Sequence, residues 1–172
     1  MSIQTNYIRL KKAMEQYAAK LNEYTEEEFV KTPADNKWSY AEVYAHITSA
    51  NLMSIKGLEI AGNNKAEEVL GRVDWRVALI LWAGRLPGGR KVPKRLLDAI
   101  VKMSKAEALE KIQLVQSRLE EVYPLVLKAS PTQKIKHPRM GYLNSAQWLR
   151  FMEIHTYHHL KQLDRIHKLL QQ

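Results

Sequence analysis

Apolar residues recur along this chain at intervals of three and four, the spacing that keeps one face of an α-helix buried. Val43, Ile47, Ala50 and Ala61 form one such stripe, and Met152, Leu163, Ile166 and Leu170 form another. Each long stripe is preceded by a start signal. Thr25 with Glu28, Ser39 with Glu42, and Ser104 with Glu107 fit the capping box, and Asn144 with Gln147 is a weaker version. In that box a side-chain oxygen accepts an orphan N–H of the first turn and the residue three on reaches back. These signals predict four long helices, at residues 3–22, 40–61, 105–127 and 145–170, with Pro124 bending the end of the third. The second stops at Gly62-Asn63-Asn64. Between the second and third lies a connection of about 40 residues, too long to be structureless. It is expected to hold a helix near 73–82, a turn at Pro87-Gly88-Gly89 and a short helix after Pro93. No strand-like alternation or hairpin dipeptide is visible. The expectation is an all-α, single-domain four-helix bundle spanning residues 1–172, with a long, partly helical connection between helices two and three.

Composition sharpens this picture. The chain has 172 residues, 45% of them hydrophobic and 26% charged, which suits one soluble domain with its own core. There are 7 Gly and 6 Pro, few breakers for this length. The absence of cysteine excludes disulfides, a thiolate nucleophile and Cys-ligated metal clusters. It fits a cytoplasmic location. The first 30 residues lack a signal-type apolar core. The longest apolar run, 77–83, is far below the roughly 20 residues of a membrane span. The net charge of +9 is concentrated at residues 71–97, where Arg72, Arg76, Arg85, Arg90, Lys91, Lys94 and Arg95 face a single acid, Asp74. Such a patch can recruit an anion. A solvated basic loop is the plainer reading.

The histidines carry the candidate chemistry. At about 3.6 residues per turn, His155 and His159 share the inner face of the last helix with Met152 and Leu163, while His158 falls on the flank. Imidazoles one turn apart can reach a single ion. His46 lies at the edge of the buried stripe of the second helix, near Met53 and Gly57. Three separate core histidines, each hydrogen-bonded to a neighbour, would explain the same pattern. Burying three imidazoles together without a shared partner is costly, however, and one divalent ion satisfies all three. His158, Gln162 and Tyr157 are candidates for the shell around that ion. Tyr44 and Tyr157 are also candidate acids or substrate contacts, with packing the commoner role for aromatics. Trp38 and Trp148 are expected to staple the bundle ends. His137 and His167 receive no role.

With those residues in view, the chain resembles the DinB-like metalloenzyme family. Lys37-Trp38-Ser39-x-x-Glu42-Val43-x-x-His46-Ile47 is similar to its first signature. Gly141-Tyr142-Leu143, Gln147-Trp148-Leu149-x-Phe151 and His155-x-x-His158-His159-x-x-Gln162-Leu163 are similar to its second. The resemblance spans nearly the whole chain and is poorest at 71–97. It implies a four-helix bundle and one divalent metal ion, nickel or zinc, held by His46, His155 and His159. It also implies relatives that are thiol-dependent S-transferases, such as bacillithiol transferases and mycothiol-dependent maleylpyruvate isomerases, many of them homodimers.

Three functional classes follow. The first is a metal-dependent transferase or hydrolase acting on a small molecule, with an external low-molecular-weight thiol in the transfer case, because the chain has no cysteine. The second is a non-catalytic module whose metal is structural. The third, ranked last, is nucleic-acid binding through Arg72, Arg76 and Arg85 with Trp75 and Trp82. Residues 77–81 are expected to be buried, and no nucleic-acid reader motif is present.

Overall fold

A computed structural model of the chain describes residues 1–35, 37–87 and 100–171. Six helices lie in those residues: α1 (Ile3–Leu21), α2 (Glu26–Val30), α3 (Tyr40–Gly62), α4 (Trp75–Ala83), α5 (Lys105–Lys128) and α6 (Ser145–Leu170). Their starts are the local ones. At α2, α3, α5 and α6 the cap side chain and the residue three on exchange both bonds of the capping box. Ser2 caps α1 by accepting from the Thr5 N–H at 3.1 Å. The box at Thr25 opens a helix of one turn that buries Phe29. α5 runs through Pro124 to Lys128. The expected short helix after Pro93 lies outside the described residues, as does the turn beyond Pro87.

The four long helices form a bundle. α1 and α3 each pack against both α5 and α6. Contacts also set the directions. Arg9 meets Glu153 and Lys20 meets Asp164, so α1 and α6 run parallel. Glu59 meets Arg118, and Gly62 lies against Leu125, so α3 and α5 also run parallel. A Cβ at Gly62 would come within 2.6 Å of the Leu125 Cβ, so glycine is what allows that close crossing. Tyr7 stacks on Tyr123 while Lys11 reaches Glu120, which makes α1 and α5 antiparallel. The order is therefore up, down, down, up, and the long connection is the crossover that brings α5 back parallel to α3.

The core runs along the axis through Leu10, Met14 and Tyr17, Tyr44, Ile47 and Leu58, Ile112 and Leu119, and Leu149, Met152 and Leu163. Burying a large apolar side chain stabilises by about 1.5–3 kcal/mol. Tyr44 belongs wholly to this core, its O–H donating to the Tyr17 carbonyl at 2.8 Å.

Two features depart from the sequence reading. The first is a three-stranded antiparallel sheet, β1 (Glu67–Glu68), β2 (Gln133–His137) and β3 (Gly141–Asn144), in that spatial order. It escaped notice because β2 reads Gln-Lys-Ile-Lys-His, with one aliphatic residue, and the turn lacks a two-residue hairpin dipeptide. Long-range contacts hold it. The Trp148 indole N–H donates to the Ile135 carbonyl at 3.1 Å, and Ile135 packs over Gly57. The turn itself is organised by His137, whose Nδ1 accepts the backbone N–H groups of Arg139 and Met140, each at 3.1 Å. The second is α4, which begins at Trp75. Of residues 77–81 expected inside, Val77 alone is buried, and Trp75, Leu79 and Trp82 are exposed along one side. The apolar run reflects a helix that rests on the bundle by a narrow edge, with Arg150 donating to the Leu81 carbonyl.

Candidate metal centre

The capping box at Ser39 starts α3 so that His46, two turns on, points toward α6. α6 presents His155 and His159 one turn apart. Its rotation is held by Thr156, the fully buried residue between them. The Asn51 amide donates to the Thr156 hydroxyl at 3.2 Å, and the Tyr17 O–H donates to the Thr156 carbonyl, also at 3.2 Å. Two neighbouring helices thus fix the face of α6 that meets His46.

The three rings converge. His155 Nε2 lies 3.0 Å from His159 Nε2 and 3.4 Å from His46 Nε2, and ligating nitrogens of all three fall within 4.8 Å of one another. Two nitrogens bound to one tetrahedral ion at about 2.0–2.1 Å stand roughly 3.3 Å apart, which matches this spacing. His159 is buried; His46 and His155 are half-buried. Burial pushes His46 down to about 4 and His159 down to about 3, the second helped by the neighbouring rings of His46 and His158. It holds His155 well below the ordinary imidazole value, with His159 and His46 adding to the effect. All three are therefore neutral near pH 7 and have lone pairs to offer. A hydrogen-bonded trio serves less well: one N–H on His155 can satisfy one neighbour, leaving the other nitrogen facing it unpaired. The donor set is one that can hold a divalent ion, and among the described residues no carboxylate joins the cluster.

The surroundings define each ring. His159 Nδ1–H donates to Gln162 Oε1 at 2.8 Å, which leaves Nε2 free to accept. His158 stands edge-on to His159 with centroids 5.2 Å apart. Its pKa is lowered by burial and then by Arg165 and Lys161. Phe151 stacks on His155, 5.3 Å between centroids and 16° between planes. Trp38 stacks on His159 at 5.9 Å and 11°, and also touches His46 at 5.1 Å. Trp38 thus walls the centre, where the sequence reading made it a staple of the bundle end. Its place directly before the Ser39 cap was the available signal. Phe151 was legible as the residue one turn before His155.

Other candidates lie elsewhere. Tyr157 sits beneath the Arg9 guanidinium, 5.2 Å from its ring centroid, on the α1 side of α6. Arg72, Arg76 and Arg85 are exposed around α4, with Arg76 over the Trp75 ring. Arg90, Lys91, Lys94 and Arg95 lie outside the described residues. His137 packs among Trp148 and Phe151, and burial, with Arg139 nearby, pushes it down to about 4. No described helix is long and apolar enough to cross a membrane.

A family model described as the DinB superfamily matches residues 9–163. Among solved structures, the chain is similar to TT2238, a four-helix bundle protein, at 19% identity and a TM-score of 0.58, over 95% of this chain and 99% of that one. It is also similar to YfiT from Bacillus subtilis, described as a probable metal-dependent hydrolase with an unusual four-helix bundle topology. That likeness is 16% identity and a TM-score of 0.59, over 94% of this chain and 86% of that one. A search of curated proteins finds no match.

Proposed function

The chain belongs to the DinB superfamily, and from that premise we propose that it is a metal-dependent enzyme acting on a small molecule, with one nickel or zinc ion held by His46, His155 and His159. The convergence of three neutral imidazoles on one point carries this reading. Imidazole suits both metals, and three protein ligands leave a coordination position open, the mark of a catalytic rather than a structural site. When bound, such an ion supplies Lewis acidity, lowering the pKa of a water or thiol. The protein's own residues do the positioning. Gln162 selects the tautomer of His159, and Trp38 and Phe151 cover ring faces and keep water from them. The reaction is transfer to a low-molecular-weight thiol or hydrolysis. The chain lacks cysteine, so a thiol would have to come from outside. A homodimer is part of the same reading, checked by sedimentation velocity.

Elemental analysis of the tag-free protein beside a His155→Ala, His159→Ala double variant is the test. About one nickel or zinc per chain, lost in the variant, is the expected result. No metal in either protein after reloading would sink the reading.

A further inference from the structure

A cleft of about 350 Å³ opens along the side of α3 that carries His46. From α3 it is lined by Ala45, Ala50 and Met53, and across from them by Ile100, Val101 and Met103, which lead into α5. The helical spacing of His46, Ala50 and Met53 makes the cleft a two-turn groove whose first wall is a residue of the three-histidine cluster. Its size is at the lower end of small-molecule sites. The lining is unusual for a basic protein. Among the described residues it holds no Lys, Arg, Asp or Glu, and besides His46 the polar side chain there is the Ser49 hydroxyl. Met53 and Val101 are large, apolar and respectively 74% and 78% exposed at the rim. The described arginines of the basic segment belong to α4 and its flanks, which rest against α6 near Arg150.

We infer that the cleft holds the non-reacting part of the substrate and that this part is an uncharged, apolar arm, an alkyl or aryl chain. The inference rests on the proposed metal-dependent activity for the reacting end and adds the substrate class. A dianionic group of the same size would meet no counter-charge among the described lining residues and would lose hydration there. An apolar arm gains from every methylene removed from water. The two alanines leave the space, and the unbranched, adaptable methionines shape it around the chain.

The test uses the six methionine methyls as reporters, in protein labelled with carbon-13 at those positions. 1-Pentanethiol and mercaptosuccinate are titrated into the zinc-loaded and the metal-free protein. Saturable shifts of the Met53 and Met103 methyls by pentanethiol, with those of buried Met14 unmoved, are expected. Its apparent affinity should exceed that of mercaptosuccinate by roughly tenfold or more, following the buried methylenes. Val101→Glu, at an exposed position that leaves the fold intact, should abolish the preference. Equal or tighter binding of mercaptosuccinate, or shifts that miss Met53 and Met103, would overturn the inference. The metal-free arm reads the cleft even if the protein takes up no zinc, so failure of the metal reading and failure of the apolar arm are separate results.

Discussion

The indole of Trp38 and the imidazole of His159 lie face to face, 11° from parallel and 5.9 Å between centroids. One residue ends the approach to α3 and the other sits in the middle of α6, so this stack fastens the start of one helix to the histidine-bearing face of the other. Trp38→Ala should lower stability by about 3 kcal/mol through the cavity it leaves. Trp38→Phe should keep most of that stability. Nickel added to the wild type should quench part of the tryptophan fluorescence, and Trp38→Phe should remove most of the quenching. Unchanged quenching in that variant would place Trp38 away from the metal.

Gln162 accepts from His159 Nδ1–H at 2.8 Å, so its effect is on the nitrogen opposite. Gln162→Leu should weaken metal binding by about 10–100-fold, the usual cost of removing such an orienting partner. Gln162→Glu should preserve it, because the acceptor remains. Competition with a chelator of known affinity reads both. Equal affinity in the Leu variant would reduce Gln162 to a bystander.

Glu153 is 2% exposed and bridges two arginines, Arg9 at 2.7 Å and the buried Arg150. Removing the acid leaves the Arg150 charge without its partner, so Glu153→Ala should cost about 3–5 kcal/mol in denaturant unfolding. Arg9 is 47% exposed on its side chain, and Arg9→Ala should cost less than about 1 kcal/mol. A Glu153→Leu, Arg150→Met double variant should recover much of the loss. Comparable effects at Arg9 and Glu153 would contradict the difference in burial.

His137 carries the pH dependence of the hairpin. Its folded pKa, pushed down by burial to about 4, lies below the ordinary value of about 6.5, so the folded chain binds fewer protons than the unfolded chain between those limits. The hairpin's stability is full above pH 6.5 and falls as pH drops toward 4. Protonation also turns Nδ1 from an acceptor into a donor facing two backbone N–H groups. His137→Asn keeps a side-chain acceptor and does not titrate. Its unfolding free energy should fall less steeply than the wild type's over that range, by one proton. Identical slopes would refute the assignment.

The helices and half of the centre were legible in the chain alone. A capping box is a bond between residues three apart, and a buried stripe repeats every turn, so both appear in local sequence. The starts of the long helices α3, α5 and α6 were therefore readable to the residue, and His155 with His159 could be set on the inner face of α6. His46 was visible only as a histidine at the edge of a stripe. Its pairing with His155 depends on an antiparallel crossing of α3 and α6, held at Asn51 and Thr156. The tertiary structure alone decided the sheet, the place of Trp38 and the exposed side of α4. β2 is held by Trp148 and Ile135 rather than by an alternation of its own. The α4 stripe is apolar on a side that nothing in the described chain covers. Periodicity reports that a face is apolar, and the crossing of distant segments determines what that face meets.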